Sequence, residues 1–173
     1  MSRVLVLGGS RSGKSAHAES LLSGVEGVTY LATSTASRAD DEWAARVAAH
    51  RARRPATWTT VETTAPAALL GGGPFLVDSV TTWVSALMDE AGLWDEQPGS
   101  AGRLAGRVDE LVAAWTTTTA HVVAVSDEVG LGVVPATRAG RLFRDTLGTV
   151  NQRLAGAADE VWFVVAGLPQ RLR

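Results

Sequence analysis

The sequence predicts an α/β fold built on a mostly parallel sheet flanked by helices. Three observations lead there. Strand-like apolar runs alternate with amphipathic stretches, the first run ends in a glycine-rich phosphate-binding pattern, and nothing splits the 173 residues into separate domains. The whole of 1–173 therefore reads as one nucleotide-binding domain. The apolar runs fall at 4–7, 28–32, 58–61, 75–77, 122–125 and 161–165, and the amphipathic stretches at 38–54, 79–91, 101–119 and 138–157. Sheets of this kind bind ligands at the carboxyl ends of their strands.

Taken in order, Val4-Leu5-Val6-Leu7 is an unbroken apolar run, as expected of a strand buried on both faces. It leads into Gly8-Gly9-Ser10-Arg11-Ser12-Gly13-Lys14-Ser15, the pattern G-x-x-x-x-G-K-[ST], and then into the helix-like Ala16–Leu22. Strand, glycine loop and helix stand in the order needed for loop amides and a helix N-terminus to converge on an anion. Lys14 is the single lysine; the other fifteen of the sixteen basic residues are arginine. A compact ammonium on a flexible stem follows a β- or γ-phosphate better than a planar guanidinium does, so Lys14 reads as a phosphate ligand. The Ser15 hydroxyl can ligate Mg2+.

Further along, Phe75-Leu76-Val77-Asp78 is an apolar strand closing on a carboxylate, the form of a Walker B partner that orients magnesium. Strand-end aspartates also serve as turn formers, and the glycine loop favours the metal role. The run ending Ser126-Asp127-Glu128-Val129-Gly130 brings further acids to a strand end; Glu128 reads either as facing the same crevice or as a solvated loop carboxylate. Gly71–Gly73 reads as a turn and 92–100 as a polar loop. Of the three histidines, His17 reads as a packing or surface residue and His121 as the cap of a sheet edge.

His50 is different, because it lies near the end of a segment with acids in its first turn (Asp40, Asp41, Glu42) and bases crowding its last (Arg51, Arg53, Arg54), ended by Pro55. That polarity complements a helix dipole, and on one reading His50 and the arginines do no more than that. The alternative is chemical. Arg46 and His50, four apart, share a helix face, and neighbouring guanidiniums keep an imidazole neutral and nucleophilic while also binding phosphates. Such an imidazole can attack an α-phosphorus and hold a nucleotidyl group as a phosphoramidate.

Composition sets outer limits. With 46% hydrophobic and 20% charged residues the chain fits a globular enzyme, and a formal net charge of −2 gives no electrostatic case for nucleic acid or an anionic membrane. No cysteine is present, so disulfide and thiolate chemistry are excluded. No signal-like segment or bilayer-length apolar run is seen, so a cytoplasmic protein without membrane insertion is expected. The six tryptophans, at 43, 58, 83, 94, 115 and 162, read as core or interface packing ahead of a ligand surface.

These residues together closely resemble the bifunctional adenosylcobinamide kinase / adenosylcobinamide-phosphate guanylyltransferase family of cobalamin biosynthesis. The resemblance runs from the glycine loop through Tyr30-Leu31-Ala32-Thr33, His50-Arg51, Arg54-Pro55 and Val77-Asp78-Ser79-Val80-Thr81-Thr82-Trp83. Its most specific blocks are Asp127-Glu128-Val129-Gly130-Leu131-Gly132-Val133-Val134-Pro135 and Val150-Asn151-Gln152-Arg153-Leu154-Ala155. The resemblance implies a RecA-like P-loop fold, assembly as a homotrimer, and two reactions on one chain. A nucleoside triphosphate (GTP or ATP) phosphorylates adenosylcobinamide. GMP from GTP then passes through a guanylyl-histidine to adenosylcobinamide phosphate, giving adenosylcobinamide-GDP and pyrophosphate. It makes His50 the nucleophile, with Lys14 as its catalytic companion. Nucleotide contacts carry over onto Gly8, Gly9, Ser10, Arg11, Ser12, Gly13, Lys14 and Ser15, onto Ala32, Thr33 and Ser34, onto Arg51, Ala52, Arg53 and Arg54, and onto Glu62 and Asp78. Mg2+ is expected on Ser15 and Asp78. The competing reading is a single-activity P-loop kinase of another small hydroxyl substrate, which needs Lys14 and Asp78 but not His50; a nucleotide-regulated binding module would need no nucleophile at all.

Overall fold

A computed structural model describes residues 2–33 and 54–173. The stretch predicted at 38–54 lies outside the described residues except for Arg54, and with it His50, Arg51, Ala52, Arg53 and Ser34.

Among the described residues the chain runs β1 (Arg3–Gly8), α1 (Lys14–Leu21), β2 (Thr29–Ala32), β3 (Thr59–Glu62), a short 3-10 turn (Pro66–Leu69), β4 (Phe75–Asp78), α2 (Val80–Glu90), α3 (Ser100–Thr117), β5 (Val122–Asp127), α4 (Arg138–Ala157), β6 (Glu160–Val165) and β7 (Leu168–Arg171). The strands form one sheet in the order β3-β2-β4-β5-β1-β6-β7, parallel throughout except that β7 runs antiparallel to β6. The α/β class and all six strands read from the sequence are present; β7 was not expected. Its four residues are all exposed and include Pro169, which an edge strand tolerates because one side of its backbone faces no neighbour.

Alternation along the inner strands sends side chains to two apolar layers. Leu5 and Leu7 of β1 join Val77, Ala124 and Val161 beneath α2, α3 and α4, where Trp83 and Trp115 are almost completely buried. Val4 and Val6 point the other way, onto Ala18 and Leu22 of the α1 segment, with Val123, Val125 and Val164. Such two-sided burial is why these strands lack alternation in sequence. Trp115 still satisfies its indole, which donates to the Leu154 carbonyl at 3.1 Å, so this tryptophan packs as core.

Local signals position the helices. Ser79 caps α2, its hydroxyl accepting from the Thr82 amide while the Thr82 hydroxyl accepts from the Ser79 amide, a reciprocal capping box that also fixes the exit from β4. Thr137 caps α4 by accepting from the Gly140 amide at 3.1 Å. At the opposite end of the sheet, Arg3 clamps Asp159 with paired hydrogen bonds of 3.0 and 2.9 Å and holds its carboxyl down at about 2. His121 accepts or donates to the Ser2 hydroxyl at 2.6 Å at the start of β5; that strand is interior, so the histidine caps a strand end and not a sheet edge.

His17 packs edge-on against Trp162 at 5.0 Å, and its buried Nε2 has no hydrogen-bond partner. Burial pushes its pKa below the ordinary 6.5. In the unfolded chain the imidazole therefore takes up a proton first. Stability from this site is complete above about pH 6.5 and is lost as pH falls below it. Melting curves at pH 7.5 and 5.5 should show a smaller drop for His17→Phe than for the unsubstituted chain; equal drops would remove His17 as a source of pH sensitivity.

Candidate phosphate-binding site

The glycine loop leaves β1, an interior strand, at the carboxyl edge of the sheet, the edge at which the sequence predicts ligand binding. Two contacts hold it close to β6 and β7. A Cβ on Gly8 would lie 2.7 Å from the Val164 carbonyl oxygen and 2.5 Å from the Ser12 hydroxyl, so only glycine fits without moving backbone. Beyond it, the Gly167 amide donates to the Ser12 carbonyl at 2.8 Å, and Gly13, at φ 93°, passes so near that a Cβ there would meet the Gly167 Cα at 3.1 Å. Ala166 and Gly167, both at positive φ, make the tight two-residue turn between β6 and β7. The hairpin that sequence patterning missed is thus the brace of the phosphate loop.

Gly13 ends the loop and Lys14 opens α1. The Lys14 ammonium lies 2.5 Å from Asp127 Oδ1 and donates to the Gly9 carbonyl at 3.3 Å, and its side chain is only 12% exposed. Asp127 closes β5 and pairs with Gly8, which brings its carboxylate to the loop. Its backbone is fixed on both sides. The Thr81 hydroxyl accepts from the Asp127 amide at 2.7 Å, and the Asn151 side-chain amide donates to its carbonyl at 3.0 Å. Asn151 in turn accepts from the Ser126 hydroxyl at 2.6 Å, in the buried interior. Neither Asp127 nor Asn151 was singled out from sequence. The signal for Asn151 was present: it sits with Leu147, Val150 and Leu154 on the buried stripe of α4, where a polar residue must have partners.

Glu128, read as a candidate for the same crevice, turns instead onto its own loop, where Oε1 accepts from the Gly130 amide. The loop that follows exposes Leu131, Val133 and Val134.

Asp78 ends β4, two strands from β1, with β5 between them. Its Oδ2 accepts from the Tyr30 hydroxyl at 2.7 Å, and the Arg54 guanidinium stacks 3.5 Å from the centre of the Tyr30 ring. Burial first, and then the Asp78 charge, raises the Tyr30 pKa, so the phenol stays a donor. Asp78, Ala32 and Glu62 lie level with one another across β4, β2 and β3. Thr33, just beyond β2, is fully buried. Its hydroxyl donates to the Ser79 carbonyl at 2.5 Å and accepts from the Ser79 amide at 3.1 Å, so this side chain secures the segment after Asp78. The structure therefore gathers Gly8–Ser15, Ala32, Thr33, Arg54, Glu62 and Asp78 along one edge of the sheet. Ser34, His50, Arg51, Ala52 and Arg53 lie outside the described residues.

A sequence model described as cobinamide kinase / cobinamide phosphate guanyltransferase matches residues 4–172. A Salmonella typhimurium protein named "Bifunctional adenosylcobalamin biosynthesis protein CobU" is 42% identical over 182 aligned positions, covering 98% of this chain and 99% of that protein. Its Escherichia coli namesake is 41% identical with the same coverage. The Pseudomonas aeruginosa "Bifunctional adenosylcobalamin biosynthesis protein CobP" is 41% identical over 99% of this chain and 97% of that one. Among solved structures, an ATPase from a type III secretion system superposes with a TM-score of 0.58 at 14% identity, over 98% of this chain and 56% of that one. At that identity the likeness concerns the fold alone.

Replacing Asn151 by leucine preserves volume but leaves the Ser126 hydroxyl and the Asp127 carbonyl buried without these partners. Urea unfolding should show a loss of about 2–4 kcal/mol. A loss under about 0.5 kcal/mol would mean that Asn151 does not secure the end of β5.

Proposed function

The chain belongs to the cobinamide kinase / cobinamide phosphate guanyltransferase family, and on that premise we propose that it performs two successive reactions in adenosylcobalamin assembly. In the first, the aminopropanol hydroxyl of adenosylcobinamide attacks the γ-phosphorus of GTP or ATP. A phosphorus–oxygen bond forms, the bond to the β-bridging oxygen breaks, the nucleoside diphosphate leaves and the hydroxyl proton is released. In the second, an imidazole nitrogen of His50 attacks the α-phosphorus of GTP and pyrophosphate departs. An oxygen of adenosylcobinamide phosphate then displaces the imidazole, giving adenosylcobinamide-GDP and free His50. The observation that carries this reading is the family match over 4–172, which spans both the glycine loop and His50.

The residues divide the work by chemistry. Amides of Gly8, Gly9, Ser10, Arg11, Ser12, Gly13 and Lys14 cradle the phosphates, and the Lys14 ammonium offsets their charge. Ser15 and Asp78 would hold Mg2+. Their hydroxyl and carboxylate oxygens are hard donors that suit it. When bound, that ion neutralises charge on the phosphate oxygens. Tyr30 orients the Asp78 carboxylate, and Arg54 is held beside both by its stack on Tyr30. Arg51 and Arg54 offset charge as pyrophosphate leaves, while Ala32, Ser34, Ala52, Arg53 and Glu62 border the nucleotide and the fully buried Thr33 supports that edge from beneath by holding Ser79.

One sheet contains strands from both ends of the chain, which supports a single nucleotide-binding domain over 1–173. No helix among the described residues is long and apolar enough to cross a membrane, and nucleotide substrates suit a cytoplasmic enzyme. The family resemblance supports a homotrimer. Analytical ultracentrifugation should give a mass of three chains, and a concentration-independent monomer would exclude the trimer.

With GTP labelled at the α-phosphate, the unsubstituted protein should acquire an acid-labile, alkali-stable label. His50→Ala should acquire none yet still phosphorylate adenosylcobinamide. Phosphotransfer without label in either protein would reduce the chain to a kinase.

A further inference from the structure

Asp127 is not among the residues assigned to the nucleotide, yet it contacts Lys14, which is, and the geometry is that of a built pair. Lys14 has three ammonium donors. One meets Asp127 Oδ1 at 2.5 Å and one the Gly9 carbonyl at 3.3 Å. The backbone of Asp127 is anchored beside the loop, its amide bound to Thr81 and its carbonyl to Asn151. Both partners are largely shielded from water, with side chains 12% and 26% exposed, so the attraction is screened less than at an open surface.

We propose that Asp127 is a resident counter-anion of the phosphate loop, which competes with the triphosphate for Lys14 and sets nucleotide affinity below the level the loop alone would give. The inference rests on the reading of Gly8–Ser15 as the triphosphate site. An arriving phosphate must share the Lys14 ammonium with a carboxylate whose backbone is anchored beside it, and the two anions repel across it. Removing the carboxylate's charge while keeping its shape hands the ammonium to the phosphate. A structural lesion at the same position would act with the opposite sign, since loosening the end of β5 disorders the loop and weakens binding. Asp127 is therefore a positioning residue, identified by the direction of its effect.

The test is calorimetric titration of GTP, with and without magnesium, into the full chain and its Asp127→Asn, Asp127→Ala and Lys14→Ala variants, each checked for folding by circular dichroism. Both Asp127 variants should bind about tenfold more tightly, equivalent to about 1.4 kcal/mol. The gain should shrink as salt is raised. Lys14→Ala should bind at least about tenfold more weakly. Unchanged or weaker binding by folded Asp127 variants, with Lys14→Ala still impaired, overturns the counter-anion role alone. Lys14→Ala binding like the unsubstituted chain overturns the phosphate-loop reading beneath it.

Discussion

The position of β1 between β5 and β6 is the constraint on which the rest of the structure depends. Hydrogen bonding on both edges leaves β1 no freedom of register, with Gly8 opposite Asp127 on one side and Val164 on the other. The glycine loop therefore emerges at a fixed height, under the β6–β7 turn and beside the last residue of β5. Phosphate recognition of this type needs backbone amides aimed at a point in space, and a central strand supplies a rigid base for that aim. The apolar residues of β1, sent alternately into two separate cores, keep the strand anchored from both faces.

A second layer of order lies just beyond the strand ends, where polar groups leave the sheet and need partners in a poorly hydrated setting. Short side chains supply them. Thr33 and Thr82 secure the amide and carbonyl of Ser79. Thr81 and Asn151 do the same for Asp127. These four residues hold two carboxylates, Asp78 and Asp127, at different depths along neighbouring strands. Asp78 faces a phenol backed by a guanidinium and Asp127 an ammonium, so two acids of the same type are given unlike surroundings.

Much of this was legible in the sequence because burial leaves a direct trace. The inner strands are apolar without alternation since both faces are covered, and the glycine loop is written in fixed spacing. Strand β7 left no such trace, as none of its residues is buried and its order comes from pairing with β6. The choice between Asp127 and Glu128 could not be made from composition, since adjacent residues at a strand end diverge and only register decides which one meets Lys14. Tyr30 read as one more apolar strand residue, and its hydroxyl acquires a purpose only through the pairing of β2 with β4.

The brace from Gly167 to Ser12 and the neighbours of β1 have a consequence for synthesis. On the ribosome, residues 8–15 are made well before the segments that position them: Arg3 must await Val122, Val4 must await Glu160, and the Ser12 carbonyl must await the Gly167 amide. Contacts so distant in sequence form late and slowly. A nascent chain thus carries its phosphate loop without this brace until the β6–β7 hairpin has emerged, and nucleotide can stabilise the braced loop only from that point.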